Sequence, residues 1–392
     1  MNHLFVTQDF PPVPGGMARR YVELCRRFGA ADERMDVSTV SADGAQGFDR
    51  GEAYPIHRQP FPFERANRFG NQLRWARWLT SRADTDVIHC GNIRPTGYAV
   101  AWGAGRLHVP YVVYVNGGDL LREREKARKR MKRRIARHIL GGASGIIALS
   151  KWNAELAGEV LGEVGVKSPP PIAAIDLGTD PSRFHHARDS RHLRERWGVG
   201  DAPMLITIAR LVPHKGQDTA IRALARLRGE FPNLRYVVVG QGHYESRLRE
   251  LATDAGVADA VVFAGELDDE DVPEAYATAT VYVGLSRIDR DINAEGFGIS
   301  FVEAGSSGLP VVAGDSGGVR SAVRDGETGI VVPPLDVKAA AEAIGRLLRD
   351  SGKRMEIGAA GRRAVETHYN WDRVARDTRE FVSSIVASRP SR

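Results

Sequence analysis

Short runs of β-branched and aliphatic residues recur along the chain. Each is closed by a glycine or polar turn and followed by apolar positions at helical spacing. In the first half the runs are HLFVT (3–7), DVIHC (86–90), YVVYV (111–115) and GIIALS (145–150). A second series comprises MLITIA (204–209), RYVVVG (235–240), AVVFAG (260–265), TVYVGL (280–285), PVVAG (310–314) and GIVVP (329–333). Runs that are apolar on both faces and alternate with helices predict parallel sheets, covered by helices on both sides. Two such series predict an α/β chain of two Rossmann-like domains. Prolines cluster in SPPPIAAIDLGTDPSRF (168–184), stiffening the chain into an extended connector. The last periodic stretch, NWDRVARDTREFVSSIV (370–386), reads as one more amphipathic helix.

The 392 residues leave room for two domains with separate cores. A composition of 42% hydrophobic and 27% charged residues excludes disordered and fibrous classes. No apolar run approaches the roughly 18 residues of a membrane span. The opening MNHLFVTQDFPP lacks the basic and then apolar layout of a secretory signal. Cys25 and Cys90 give no disulfide framework and fit buried thiols in a reducing cytoplasm. The net charge is +6, yet REREKARKRMKRRIAR (122–137) holds ten Lys and Arg against Glu123 and Glu125. That segment carries +8 locally and leaves −2 for the remainder.

Three stretches carry candidate chemistry. In PPVPGGMARRYVELCRRFG (11–29), Gly15 and Gly16 open a helix. Adjacent glycines there admit either a phosphate or simply a tight strand-to-helix turn. The spacing does not meet the G-x-G-x-x-G dinucleotide fingerprint. In IARLVPHKGQD (208–218), Arg210 and Lys215 follow a strand, where ligands of doubly wound sheets bind. Two cations there suit a pyrophosphate, against the plain reading of a surface pair. His214 beside Lys215 is expected to be exposed on its loop, and His89 to be a core or rim histidine. In AEGFGISFVEAGSSG (294–308), Glu295 and Glu303 flank the expected start of a helix. Free N–H groups at such a start favour an anion. Two D-x-D triplets, Asp84-Thr85-Asp86 and Asp289-Arg290-Asp291, are weak metal signals.

Taken together these residues resemble the retaining nucleotide-sugar glycosyltransferases of family 4. Among them the chain is similar to bacterial sugar transferases of the phosphatidylinositol mannosyltransferase-like kind. The resemblance spans the Gly-Gly loop, the R…HKG segment, VVVGQG, the EGFG…E signature, SGGVRSAVRDGETGIVVPP and the final helix. It implies the GT-B fold, with two parallel-sheet domains facing across a cleft. The expected layout is an acceptor-side domain at 1–178, a nucleotide-sugar domain at 179–368, and a helix at 369–392 crossing back to the first domain.

The resemblance also implies site roles. Glu303 holds the donor ribose, Glu295 the donor sugar, and Arg210 and Lys215 the diphosphate. Gly15, Gly16 and the backbone of Gly296, Phe297, Gly298 and Ile299 complete the phosphate cradle. The backbone of Glu266 and Leu267 meets the nucleobase. No metal or other cofactor is required, because Arg210 and Lys215 offset the charge on the leaving diphosphate.

The chain departs from the family pattern at Asn116, where many members carry a histidine that reaches the donor sugar. An asparagine orients a hydroxyl but takes no proton. Arg320-Ser321 stands where relatives often have Pro-Glu. Competing readings are a soluble-acceptor glycosyltransferase, a nucleotide-sugar epimerase of the same fold, and a non-catalytic sugar-nucleotide binder.

The basic segment adds an expectation about the acceptor. Written as one helix, residues 122–140 put Ala127, Met131, Ile135 and Ile139 on a thin stripe, with cations elsewhere. Upstream, FERANRFGNQLRWARWLTSRA (63–83) adds five arginines beside Trp75 and Trp78. This composition suits an anionic membrane surface, with Arg128, Lys129, Lys132 and Arg133 on the contact face. No nucleic-acid motif accompanies the cations. The expectation is a peripheral enzyme on the inner face of the plasma membrane with a lipid-linked or envelope-glycan acceptor.

Overall fold

The computed structural model describes residues 1–13, 15–29, 33–60, 68–189, 191–290 and 292–388. Pro14 of the Gly-Gly loop, residues 63–67 of the arginine-rich stretch, and Asp291 of the second D-x-D triplet lie outside the described residues. Residues 1–177 and 371–392 form one compact unit, and residues 178–370 a second.

The first unit opens with β1 (Asn2–Val6), α1 (Gly16–Gly29), β2 (Arg34–Val40), α2 (Ala45–Arg50) and β3 (Ile56–Gln59). It continues through α3 (Arg68–Leu79), β4 (Val87–Cys90), α4 (Thr96–Leu107), β5 (Tyr111–Val115) and α5 (Gly117–Ala127). Then come α6 (Arg130–Gly141), β6 (Gly145–Ala148), α7 (Lys151–Glu163) and β7 (Ile172–Ala174). The sheet order is β3-β2-β1-β4-β5-β6-β7, and every pairing is parallel. Phe5 lies level with Val37 on one side and His89 on the other.

His89 is a core residue. Its Nδ1 lies 2.9 Å from the Tyr114 hydroxyl and its Nε2 2.9 Å from His3 Nδ1. Burial, and then the neighbouring His3, pushes its pKa well below the usual range. Cys25 and Cys90 are buried thiols.

The second unit contains α8 (His192–Arg196), β8 (Met204–Ile208), α9 (Gln217–Leu227), β9 (Arg235–Val239), α10 (Glu245–Asp254) and β10 (Val261–Gly265). It goes on with α11 (Val272–Ala277), β11 (Val281–Gly284), α12 (Ile299–Ser306), β12 (Val311–Gly314) and α13 (Val319–Ala322). It closes with β13 (Gly329–Val332), α14 (Val337–Arg349) and α15 (Ser351–Thr367). Its order is β10-β9-β8-β11-β12-β13, again parallel throughout. Leu205, Val238, Val283 and Val312 on the strands pack against Ile221, Leu224, Ile344 and Leu347 on the helices. Burying each such side chain contributes about 1.5–3 kcal/mol. The two centre-outward sheets thus carry their loops of interest at the carboxyl ends of the strands.

The final helix, α16 (Trp371–Ala387), belongs to the first unit and packs on α1 and β6. Gly145 makes room for it, because a Cβ there would lie 2.3 Å from Ile385 Cδ1. Arg27 meets Asp372 at 2.6 Å and Arg379 meets Glu33 at 2.9 Å.

Three sequence expectations are corrected. Residues 122–140 are not one helix: the chain breaks at Lys129, which is extended at φ −88°, ψ 123°. The apolar stripe dissolves accordingly, with Ala127 and Ile139 buried and Met131 63% exposed. Trp75 is fully buried, its Nε1 donating to Ser38 Oγ at 2.8 Å, and it cannot serve a membrane interface. Trp78 is half-buried under the Arg82 guanidinium. Finally, the proline cluster does more than connect. It runs into β7, and the Pro171 carbonyl accepts a hydrogen bond from Ile146 N–H at the sheet edge. Proline is tolerated in a sheet at such an edge.

Candidate active site

The loop after β8 is fastened at several points. Gln217 Nε2 donates to the Arg210 carbonyl at 3.1 Å, and Lys215 N–H donates to the Val212 carbonyl at 3.0 Å. Gly216 takes φ +76°, and a Cβ there would sit 1.9 Å from the Leu285 carbonyl oxygen. The glycines of VVVGQG serve the same loop: Cβ atoms on Gly240 and Gly242 would lie 2.2 and 2.1 Å from the Ala209 and Leu211 carbonyls. Arg287 adds a clamp, donating to both carboxylate oxygens of Asp218 at 2.8 and 3.1 Å. The loop presents Lys215 half-buried and Arg210 exposed.

Lys215 Nζ meets Glu295 Oε2 at 2.5 Å, with side chains only 19% and 14% exposed. Burial raises the Glu295 pKa, but the Lys215 charge and hydrogen bond outweigh it and hold the carboxyl below its ordinary value. The Phe297 N–H adds a further bond to this carboxylate. The Glu295 carbonyl accepts from Gly318 N–H at 2.8 Å, and Gly317, at φ +57°, lets the two segments touch. Gly298 caps α12 in the left-handed region at φ +93°, where Phe301 leaves no space for a Cβ. Ile299 opens the helix, so its N-terminus and positive dipole end lie next to the Lys215–Glu295 pair. The Phe297 side chain is buried, and only its backbone faces this site. Within α12, Glu303 is buried and accepts from the Tyr276 hydroxyl at 2.9 Å. Glu266 and Leu267 follow β10, the outermost strand, at the carboxyl end of the same sheet, Glu266 exposed and Leu267 half-buried.

In the first unit, Gly15 is exposed at φ +146° and Gly16 begins α1. Asn116 caps α5. Its Oδ1 accepts from Asp119 N–H at 3.0 Å and its Nδ2 donates to Asp119 Oδ2 at 2.6 Å. That amide is committed to the helix start, with Asp119 also held by Arg122 at 2.5 Å.

Several polar residues escaped the sequence reading. Asn92 Nδ2 donates to Asp9 Oδ2 at 2.7 Å, and burial followed by the nearby Asp119 charge raises the Asp9 pKa. The one available signal was position, because Asp9 lies just past the carboxyl end of β1. The first D-x-D triplet is structural: Asp84 pairs with Arg34 at 2.9 Å, and Asp86 accepts from Asn2 N–H at 2.8 Å. Arg320 is exposed and paired with Asp315 at 2.6 Å.

Two parallel-sheet units, one with a buried acid–base pair at a helix N-terminus, define the GT-B class of sugar transferases. Residues 14–183 match Glycosyltransferase Family 4, and residues 189–364 match the glycosyl transferases group 1. The chain is 31% identical over 399 residues to the GDP-mannose-dependent α-(1-6)-phosphatidylinositol monomannoside mannosyltransferase of Mycobacterium tuberculosis. That alignment covers 98% of this chain and 99% of the relative. The corresponding monoacylated-substrate enzyme of Corynebacterium glutamicum is 29% identical, covering 99% and 98%. Among solved structures, Anabaena HepE with UDP-glucose superposes with a TM-score of 0.78 at 22% identity, covering 98% of this chain and 100% of that one. Sucrose-phosphate synthase from Thermosynechococcus elongatus gives 0.77 at 22%, covering 99% and 100%. The chain belongs to the family 4 glycosyltransferases, and it is a hexosyltransferase-type enzyme of GT-B fold.

If Glu303 holds the donor ribose, its contact is equal in ground and transition states. Glu303→Gln is then expected to raise the donor KM about 10- to 100-fold, the scale of a hydrogen bond to a charged group, with kcat nearly unchanged. Steady-state kinetics against donor concentration check this, and an unchanged KM removes Glu303 from the site.

Proposed function

We propose that this enzyme transfers a hexosyl group, with retention of configuration and without a metal, from a nucleoside-diphosphate sugar to a lipid-linked acceptor. The observation that carries the donor side is the largely buried Lys215–Glu295 pair at the start of α12, with Glu303 about one turn further in. The diphosphate lies at the helix N-terminus with Lys215 and Arg210 on its charge, and Glu295 and Glu303 accept from sugar and ribose hydroxyls. As the glycosidic C–O bond breaks, Lys215 and Arg210 stabilise the negative charge on the leaving oxygen. That oxygen takes the proton of the acceptor hydroxyl, which attacks from the same face. Asn116, engaged in capping α5, does no proton transfer in this scheme. The relatives' names make GDP-mannose the first donor to try.

The test is a panel of GDP-, UDP- and ADP-sugars followed by nucleotide release, with and without EDTA, and NMR of the product anomer. The expected result is acceptor-dependent release of one nucleotide, unchanged by EDTA, with the donor's anomeric configuration kept. Restoration by manganese after complete loss in EDTA overturns the metal-free route. Sugar isomerisation without acceptor marks an epimerase.

The membrane side of the proposal rests on α6. Arg122, Arg124, Lys126 and Arg128 are paired with acids. Lys129, Arg130, Lys132, Arg133, Arg134 and Arg137 are exposed and have no ion pair among the described residues. Met131 projects among them, and Phe69 on α3 is 84% exposed. Because α3 packs along α4, which also touches α6, these groups share one helical layer. Among the described residues no helix is long and apolar enough to cross a membrane. Each cation near an anionic leaflet contributes about 1 kcal/mol. Co-sedimentation is therefore expected with phosphatidylglycerol vesicles at low salt, fading at high salt. It is expected to weaken when Arg128, Lys129, Lys132 and Arg133 become serine, while donor binding persists. Equal partition to neutral vesicles favours a soluble acceptor.

A further inference from the structure

His214 is not the exposed loop residue its neighbours predict. Only 9% of it is exposed, and its ring has no hydrogen-bond partner among the described residues. The loop fixes it in place, since its carbonyl accepts from Arg287 N–H at 2.8 Å and Gly216 is pressed against Leu285. Four charged groups act on the ring electrostatically: Lys215 and Arg210 from its own loop, Glu295 from the segment before α12, and Asp289 from the loop after β11. Neither ring nitrogen is among the buried unpartnered atoms, so both are open to water, and to a ligand that takes the water's place. Its neighbours Lys215 and Arg210 are the cations given to the diphosphate above.

We infer that His214 is a phosphate-side ligand of the donor site, which takes up a proton as a nucleoside-diphosphate sugar binds. The inference rests on the donor-site reading above. Burial, and then the charges of Lys215 and Arg210, pushes the imidazole down to about 4, so it is neutral at ordinary pH. A bound diphosphate reverses that field by cancelling the two cations and adding negative charge of its own. An opposite charge within about 4–6 Å raises a pKa by roughly one to three units. The protonated ring then offers two N–H donors to phosphate oxygens, where the neutral ring offers one. Because the bound-state pKa exceeds the free-state value, donor affinity falls as pH rises between the two and levels off above the bound-state value.

The experiment is titration calorimetry of whichever donor the panel identifies, GDP-mannose first, without acceptor. It is run at pH 6 and pH 8 in buffers of different ionisation enthalpy. Such a diphosphate diester has no group titrating in this range, so any proton taken up comes to the protein. About half a proton or more is expected per donor at pH 6 and almost none at pH 8. Affinity is expected to be about two- to tenfold weaker at pH 8. His214→Gln, always neutral, and His214→Arg, always charged, are both expected to lose the proton uptake. Donor binding by the wild type without uptake at pH 6, or uptake that persists in either variant, overturns the role of His214. Failure of every donor to bind overturns the donor-site reading instead.

Discussion

Lys215→Ala is expected to lower kcat by about 10²- to 10³-fold, the cost of removing a preorganised group that stabilises developing charge. The ammonium is placed for this work before any substrate arrives, 2.5 Å from Glu295 and 19% exposed. Solvent therefore screens it less than a surface lysine. Its loss has a second consequence. Burial raises the Glu295 pKa, and in the native enzyme Lys215 reverses that effect. Without the lysine the burial is opposed only by the lesser effects of His214 and the Phe297 N–H, so the carboxyl titrates higher and the acid limb of the pH–rate profile moves to higher pH. Lys215→Arg keeps the charge and is expected to recover part of the rate. Arg210→Ala is expected to cost on the order of 10²-fold for the same charge-stabilising reason. A kcat within threefold of wild type for Lys215→Ala, with the acid limb unmoved, removes the pair from the reaction.

Gly216→Ala is the second large effect, although it deletes no functional group. The residue sits at φ +76°, and its new Cβ would lie 1.9 Å from the Leu285 carbonyl oxygen. The left-handed conformation alone costs about 1–2 kcal/mol. The collision is with backbone at the end of β11, which cannot give way cheaply, so the loop holding His214 and Lys215 has to move. A displacement of about 1 Å is enough to cost on the order of 10²-fold in rate. Gly308 is the internal control, because it has φ +73° and no atom within 4 Å of a built Cβ. Gly308→Ala should pay the backbone strain alone and keep nearly full activity. Thermal unfolding and donor kinetics of both variants decide the matter. Equal behaviour of the two means that loop placement does not depend on the Leu285 contact.

The inner strands were legible because a strand buried on both faces is an unbroken apolar run, and YVVYV and VVAG fit nothing else. The missed strands β2, β3 and β7 lacked that signature. In RMDVSTV the buried positions include Asp36, Ser38 and Thr39, while IHRQ sits at the edge and IAA follows three prolines. The break between α5 and α6 was invisible because every residue around it favours a helix. Its setting shows only in three dimensions, where Arg94 binds both the buried Glu123 of α5 at 2.6 Å and the Lys132 carbonyl of α6 at 3.0 Å. At the site, spacing pointed to Lys215, Glu295 and Glu303 because cations and acids on helix-start loops leave a pattern. Burial of a lone polar side chain leaves none, so neither the seclusion of His214 nor that of Trp75 could be read from its neighbours.

The return of α16 to the first unit inverts the order of biogenesis. Chains emerge at about 5–20 residues per second, so residues 178–370 occupy the ribosome for on the order of 10–40 s after the first unit's sheet is complete. Throughout that interval α1 and β6 show solvent the apolar face that Val374, Val382 and Ile385 later cover. The second unit is a continuous stretch, whereas the first is not complete until α16 has been made. The domain synthesised first is thus the one finished last, and during translation it is the natural client of a chaperone.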